Sequence, residues 1–187
     1  GNYVADATIL IPNNTTLSGT GPGTVIELAD IDASDELIEN ADLLTGAGVV
    51  IRDLALNGRS DLNTAGNQNA IYLDSTGQSN RAGAKLLQVI IENFRGTGVF
   101  IGGADKTEID GVSVKNIVNG DGIYVDGKNS VVSNSIVEDT GNNGISFWAD
   151  SNTATGNYVK NVGYTGIYAT AQYNIISSTM VFMQTQV

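Results

Sequence analysis

Short apolar stretches alternate with polar positions along most of this chain, and the alternation restarts at a nearly fixed interval. Four segments begin with a glycine and an apolar–variable–apolar triplet, at Gly98, Gly122, Gly144 and Gly166, so the period is 24, then 22, then 22 residues. A period of this length, with short strands between Gly, Asn and Asp turns, is typical of a solenoid in which one repeat forms one coil. The pattern therefore predicts a stacked all-β fold.

The coil that starts at Gly122 contains three predicted strands. The first is centred on Tyr124, the second begins at Val131 and the third at Ile136, with turn-forming residues between them. Three strands per coil and about seven coils predict a right-handed parallel β-helix. We interpret residues 1–187 as one such domain, and as a fragment or uncapped module of a longer protein, because solenoids need caps and none is evident.

Aligning the coils predicts which side chains face inward, since alternate residues of a strand face one side. Apolar positions recur in the first and third strands, and amide or carboxylate residues recur in one turn, where they are expected to form a structural ladder. The first predicted column is Val99, Ile123, Ile145 and Ile167; the second is Ile91, Val114, Val137, Val159 and Val181; the ladder is Asn93, Asn116, Asp139 and Asn161.

The outward positions of the first strands are rich in aromatic residues and lie beside carboxylates. With about 4.8 Å between rungs, five rungs span roughly 19 Å, the reach of a short oligosaccharide. Pyranose C–H faces pack on aromatic rings while hydroxyls bond carboxylates, so the pattern predicts a polysaccharide-binding face. The alternative is that stacked rings only stabilise a parallel sheet. The predicted substrate-binding residues are Tyr72, Phe100, Tyr124, Trp148 and Tyr168.

Candidate catalytic groups stand near these rings. Asp74 and Asp126 lie two rungs apart, about 9.6 Å, at the upper edge of the carboxylate spacing of inverting glycosidases. Asp121, Tyr124 and Lys128 complete the densest ionisable group, and in a lyase Tyr124 and Lys128 would supply base and acid. The competing interpretation is that Asp126 and Gly127 merely form a turn.

Composition excludes several classes of function. The chain has 187 residues, a net charge of −11, no Cys and no His, which rules out disulfides, thiolate metal sites and any imidazole-based mechanism. The acidic charge disfavours nucleic acid and anionic membranes as partners, and an acidic polysaccharide would be repelled unless a cation intervened. No cofactor is predicted. Asp clusters are compatible with Ca²⁺, but no EF-hand or nonapeptide calcium repeat occurs.

Two predicted turns are enlarged, at residues 59–69 and 74–84. Loops that swell on a regular solenoid usually cluster on its binding face, although tolerated surface insertion is an equal alternative. At the other end, Phe182 and Met183 replace the polar residues Glu138 and Asp139 of an earlier coil. This predicts a homo-oligomer or end-to-end association through the last coil.

Two segments carry a family resemblance: ILIPNNTTLSGTGPGTVIEL at residues 9–28 and VVIRDLALNGRSDLNTAG at residues 49–66. They resemble the pectate-lyase-like right-handed parallel β-helix superfamily, in the branch with phage tailspike-type depolymerases and mannuronan C5-epimerase modules. The resemblance implies a polysaccharide-active protein, extracellular or on a virion or cell surface. Those epimerases carry an Asp-Pro-His segment after a GYGF-like strand, whereas this chain has GTGVF followed by Ile101, Gly102 and Gly103. Asp126 does match an epimerase Asp, but epimerase activity of that type is not expected.

The sequence therefore supports three hypotheses. The first is a carbohydrate-processing module, a hydrolase or lyase of an extracellular polysaccharide. The second is a non-catalytic binding or structural solenoid of a fibre or surface protein, and the third is a truncated coil set without independent function.

Overall fold

The structure, a computed structural model, describes residues 1–29, 36–42, 48–75 and 81–182, with only the backbone at 81 and 82. No helix long and apolar enough to cross a membrane occurs in these ranges. The described residues form β-strands β1 (Asn2–Ala5), β2 (Ile9–Ile11), β3 (Thr16–Ser18), β4 (Val25–Leu28), β5 (Ile38–Asn40), β6 (Val50–Asn57), β7 (Ile71–Asp74), β8 (Arg81–Ala82), β9 (Lys85–Phe94), β10 (Val99–Gly102), β11 (Ala104–Asp105), β12 (Glu108–Asp110), β13 (Ser113–Ile117), β14 (Ile123–Asp126), β15 (Val131–Ser133), β16 (Ile136–Thr140), β17 (Ile145–Phe147), β18 (Thr153–Thr155), β19 (Tyr158–Val162), β20 (Ile167–Ala169), β21 (Ile175–Ser177) and β22 (Met180–Phe182).

The strands lie in three rows, as the sequence predicts. One row is a seven-stranded sheet in the order β2-β5-β7-β10-β14-β17-β20. The other two rows share a thirteen-stranded sheet, because β6 and β9 run through both rows. Neighbouring coils pair in parallel in all three rows. The prediction of an all-β parallel helix with three strands per coil and about seven coils is confirmed.

The register places the predicted apolar columns in the core up to the last coil, where Val181 is exposed. Val99 pairs with Ile123 and Ile123 with Ile145, and all three side chains are fully buried. The second column is confirmed by the pairing of Val114 with Val137. Burying one such side chain stabilises the fold by about 1.5–3 kcal/mol, and a one-residue slip would turn the apolar set to solvent. The core therefore determines which side chains face outward.

In the second and third coils, counted from β2, one bent strand spans both rows of the thirteen-stranded sheet. Strand β6 bends at Asp53 (φ 56°) and β9 at Gln88 (φ 54°), where the backbone is left-handed. A single left-handed residue turns the chain through a corner without a loop, and Asn and Asp adopt this conformation more readily than most residues. Residues 50–57 are thus one continuous element.

The predicted amide ladder is present and is one residue longer than expected. The Asn116 side-chain amide donates to Asn93 Oδ1 at 3.0 Å, and Asn93 in turn donates to Asn57 Oδ1 at 3.2 Å. Asn161 donates to Asp139 Oδ1 at 3.1 Å further along the same turn. These bonds join successive coils, so the ladder residues are structural.

The two enlarged turns flank strand β7 at its opposite ends. The turn at residues 59–69 is ordered by buried Asn63, whose amide donates to the Gly58 carbonyl at 2.9 Å. Of the turn at residues 74–84, positions 76–80 lie outside the described residues, and β8 pairs with β11 beyond them. Strand β5 was not predicted, because its sequence Ile-Glu-Asn is short and polar.

The last described coil carries several exposed apolar side chains. Phe182 pairs in register with Lys160, as the coil alignment predicts, whereas Met183 lies outside the described residues. Association through this coil stays a prediction. Its exposed apolar residues are Ile175, Ile176, Met180, Val181 and Phe182.

Candidate active site

The seven-stranded sheet carries a continuous column of aromatic rings on its outer face. Register pairs Tyr72 with Phe100 and Phe100 with Tyr124. The first two rings have centroids 4.6 Å apart and planes 9° apart; the next two are 4.7 Å and 4° apart. Because parallel strands are spaced by about 4.8 Å, rings at one position on successive rungs stack almost face to face. We call Tyr72, Phe100 and Tyr124 the stacked half of the column.

Beyond Tyr124 the rings of the column no longer stack face to face. The register position after Tyr124 is Ser146, and the one after that is Tyr168. The ring of Trp148 lies between the two tyrosines, 6.0 Å and 32° from Tyr124 and 5.4 Å and 55° from Tyr168, and Trp148 is 46% exposed. We call Trp148 and Tyr168 the tilted half of the column.

This geometry changes the expected mode of glycan contact. Phe100 is covered on both faces by Tyr72 and Tyr124, so a pyranose cannot lie flat on it. The stacked half offers ring edges and tyrosine hydroxyls, whereas the tilted half leaves ring surface open. The substrate-binding role of the five residues stays a prediction.

Two carboxylates border the stacked half on adjacent sides of a glycine. Asp74 ends β7, Asp126 ends β14, and Gly102 stands between them in register. A Cβ atom at Gly102 would lie 2.5 Å from Asp74 Oδ1, so the Asp74 carboxylate occupies the space above this glycine. Tyr72 Oη donates to Asp74 Oδ2 at 3.3 Å. Strands β7 and β14 are two rungs apart, as the sequence predicts, and the Asp74 carboxylate leans over Gly102 on the rung between them.

The surroundings of Asp126 change the pKa of its carboxyl group. Burial, and then the charge of Asp74, raise the pKa of Asp126 above its ordinary value. Raised carboxyl pKa values suit a general acid, and a neighbouring carboxylate that stays ionised suits a base or nucleophile. The pKa of Asp126 is therefore shifted in the direction that a general acid requires.

The tyrosines are poor bases in this environment. Burial, followed by the charge and hydrogen bond of Asp74, raises the pKa of Tyr72 to about 12. Burial, followed by the charge of Asp126, also raises the pKa of Tyr124. Both phenols keep their protons at neutral pH, so Tyr124 is suited to donating a hydrogen bond and not to the base role considered for a lyase.

The structure does not bring Asp121 or Lys128 to the carboxylate pair. Asp121 is 5% exposed, lies before the start of β14, and its Oδ1 accepts the backbone N–H of Asn143 at 3.0 Å. Asn143 has the same role in the next coil, where its Oδ1 accepts the N–H of Thr165, so this is a turn position. Lys128 is exposed, and its ammonium lies 3.5 Å from Asp150 Oδ2 on the next coil. Catalytic roles for Asp121 and Lys128 stay predictions that this geometry does not favour.

Two acidic residues near the column were missed. Glu39 pairs in register with Tyr72, and the charges of Glu36 and Glu39 both add to the raised pKa of Tyr72. Extending the column by one coil to the triplet Ile-Glu-Asn could have found Glu39.

None of the seven strands of this sheet contains Lys or Arg. In the described ranges no three acidic side chains are grouped closely enough to hold a metal ion, so the structure adds no support for Ca²⁺.

Comparison with known proteins adds the family. Residues 69–186 match the model of the family described as "Right handed beta helix region", which is more than half of the chain. The chain belongs to this right-handed β-helix family. The predicted handedness is thereby confirmed, together with the resemblance to right-handed parallel β-helix proteins. No curated protein matches the chain.

Two solved structures from Azotobacter vinelandii share the fold of this β-helix. The mannuronan C-5 epimerase AlgE6 A-module matches with a TM-score of 0.68 and 17% identity, covering 97% of this chain and 62% of that one. The AlgE4 A-module matches with a TM-score of 0.56 and 18% identity, covering 96% of this chain and 66% of that one. This β-helix thus spans less than two thirds of either module, and at such identities the likeness is one of fold.

Proposed function

We propose that this β-helix binds a polysaccharide along its aromatic column and hydrolyses it with Asp126 as general acid and Asp74 as the second carboxyl group. The observation that carries the proposal is the arrangement of the two carboxylates across Gly102, with the Asp74 carboxylate above the glycine. Most glycosidases use two carboxyl groups in this way, one to protonate the leaving oxygen and one to attack or to activate water. The proposal carries with it an extracellular, virion-surface or cell-surface location.

The spacing suggests the stereochemical course. Retaining glycosidases hold their carboxyl groups about 5–5.5 Å apart, and inverting enzymes about 6.5–9.5 Å apart. Because the Asp74 carboxylate leans over Gly102 toward the rung of Asp126, we propose that the two carboxyl groups approach to the shorter separation, that Asp74 is a nucleophile and that the anomeric configuration is retained. Proton NMR of the first-formed sugar anomer distinguishes the two outcomes.

The charge of the face favours a neutral glycan and hydrolysis. A lyase acting beside a uronic acid needs a cation to neutralise the substrate carboxylate, and none of the seven strands carries Lys or Arg. Glu39, Asp74 and Asp126 would repel an acidic chain. A neutral polysaccharide avoids this repulsion, and its hydroxyls bond carboxylates and the tyrosine hydroxyls that edge the stacked half.

The test is incubation with neutral and acidic polysaccharides while reducing ends and unsaturated products are followed. We expect new reducing ends without unsaturated products from at least one neutral glycan, and a loss of about 10²–10⁴-fold in Asp126→Asn. The matched control is Asp61→Asn, which removes one charge from the exposed turn at residues 59–69 and should keep full activity. Unsaturated products, or equal losses in both variants, contradict the proposal.

One observation favours a second candidate, a non-catalytic solenoid. The rings of the stacked half cover one another at 4.6 and 4.7 Å, which is the geometry expected if they serve mainly to hold successive coils together. Glycan binding without cleavage would support a binding module of a fibre or surface protein. Absence of any binding would support a structural role.

A further inference from the structure

Ser146 has a buried hydroxyl group without a partner. It occupies the outward column position between Tyr124 and Tyr168, yet it is fully buried, and its Oγ makes no hydrogen bond within the described residues of the chain. A comparable buried serine, Ser75, donates to the Gly102 carbonyl at 2.9 Å. Buried polar groups are nearly always hydrogen-bonded, and one left unpaired costs free energy, so the hydroxyl calls for an explanation.

The Trp148 ring lies between the rings of Tyr124 and Tyr168, on the rung of Ser146. Tyr124 and Tyr168 stand two rungs apart, about 9.6 Å, which leaves a gap one ring thick above Ser146; we call this gap the Ser146 slot. The indole lies in the slot tilted by 32° and 55° to its neighbours, whereas rings of the stacked half deviate by 9° and 4°. Trp148 follows the end of β17 and is 46% exposed. The indole therefore fills the slot without matching it.

We propose that the Ser146 slot is a subsite for one pyranose ring and that Trp148 occupies it only in the unliganded protein. The sugar lies between Tyr124 and Tyr168, presents its C–H faces to their rings, and bonds Ser146 Oγ through a hydroxyl. The indole moves outward into solvent. This inference rests on the proposed glycan-binding function and deepens it by naming the ring that the site recognises.

The slot is placed to select the sugar beside the cleaved bond. Its rung is next to that of Tyr124 and therefore next to the strand that ends at Asp126. A hydroxyl pointing at Ser146 is bonded, whereas a sugar that lacks or inverts this hydroxyl leaves the serine unpaired. Sites built to pair a substrate hydroxyl discriminate against analogues without one, because the buried polar group then stays unsatisfied.

Fluorescence tests the inference directly, because Trp148 is the one tryptophan in the chain. We use neutral hexasaccharides of the gluco, galacto and manno series as probes and titrate them against the full chain. Binding in the slot moves the indole into water, so the expected result is a red shift of emission and stronger quenching by acrylamide. A sugar stacked on a stationary Trp148 gives the opposite result, a blue shift and weaker quenching.

Two variants give independent readouts. Trp148→Ala empties the slot, so affinity is expected to stay equal or to rise up to about tenfold, whereas loss of affinity indicates a fixed platform. Ser146→Ala should weaken binding about threefold to tenfold and at the same time raise the melting temperature, because the unpaired hydroxyl is gone. The control Ser113→Ala, on the thirteen-stranded sheet, should leave affinity unchanged.

The outcomes separate this inference from the function on which it rests. Binding with a blue shift, with loss in Trp148→Ala and with no effect of Ser146→Ala overturns the subsite and leaves the proposed glycan binding standing. Absence of binding by every probe and by the polysaccharide panel overturns both.

Discussion

The two halves of the aromatic column are made by the same register and differ in one residue. In the stacked half every rung supplies a ring, and the rings of Tyr72, Phe100 and Tyr124 cover each other's faces. In the tilted half one rung supplies Ser146, and the ring that fills the gap comes from Trp148, two residues further along. A solenoid thus builds a rigid support and an adaptable surface from one repeated position.

The carboxylates follow the same division. On the rungs of the stacked half, Asp74 and Asp126 flank Gly102. Because glycine has no side chain, the Asp74 carboxylate can occupy the space above it. On the rungs of the tilted half, the same outward position holds Trp148 and then Thr170. In the proposed function, chemistry belongs to the stacked half, where side chains are held firmly, and sugar recognition to the tilted half.

The largest effect that distinguishes the halves is expected from Gly102→Ala. The new methyl group would stand 2.5 Å from Asp74 Oδ1 and 3.1 Å from the Phe100 ring, so the carboxylate must move. Misplacing a catalytic group by about 1 Å costs about 100-fold in rate, and we expect that loss in hydrolysis. Thr170→Ala, at the matching position of the tilted half, is the control and should keep full activity. Equal activity of both variants contradicts the assignment of Asp74.

Stability provides the next comparison. Phe100→Ala removes two stacked ring pairs, each contributing about 0.5–1.5 kcal/mol beyond burial, so unfolding free energy should fall by about 1–3 kcal/mol. Tyr168→Ala removes one tilted contact and should cost less than about 1 kcal/mol. Urea denaturation of both variants measures the difference. A loss in Tyr168→Ala as large as that in Phe100→Ala would show that the tilted half supports the fold equally.

The smallest effect concerns pH. Because the folded protein raises the pKa of Asp126, its charged form destabilises the fold; the penalty is absent below the ordinary value near 3.8 and grows as pH rises through the raised value. Asp126→Asn should therefore raise the melting temperature at pH 7 by about 1–2 °C, a modest gain because the group is only partly buried. The gain should shrink as the pH approaches 4. A gain that is constant with pH would contradict the linkage.

A related measurement separates the two causes of this shift. The charge of Asp74 is the second cause of the raised Asp126 pKa, after burial. In Asp74→Asn the Asp126 pKa, measured by carboxyl carbon NMR, should fall partway toward its ordinary value. An unchanged value would mean that the two carboxylates do not interact.

Sequence reasoning succeeded where the coil period alone decides the position. The buried column at Val99, Ile123 and Ile145 and the Asn116–Asn93 ladder follow from the period, because parallel coils of equal length repeat each residue on one line. The period does not decide whether Asp121 and Lys128 lie beside Asp126. They were grouped with Asp126 because they are close to it in sequence. In the structure, Asp121 precedes strand β14 whereas Asp126 ends it, and the Lys128 ammonium lies 3.5 Å from Asp150 Oδ2 on the next coil.

By itself, the sequence determined the fold class, the coil period, the inward columns and the line on which the aromatic side chains stand. These features follow from local alternation and repetition, because parallel pairing of coils places equivalent residues of successive repeats on one line. Only the tertiary structure decided that the Trp148 ring lies between Tyr124 and Tyr168, that the Asp74 carboxylate leans over Gly102, and that Glu39 joins the column. Each of these arrangements depends on the space between side chains of neighbouring coils. The sequence of a single repeat does not specify that space.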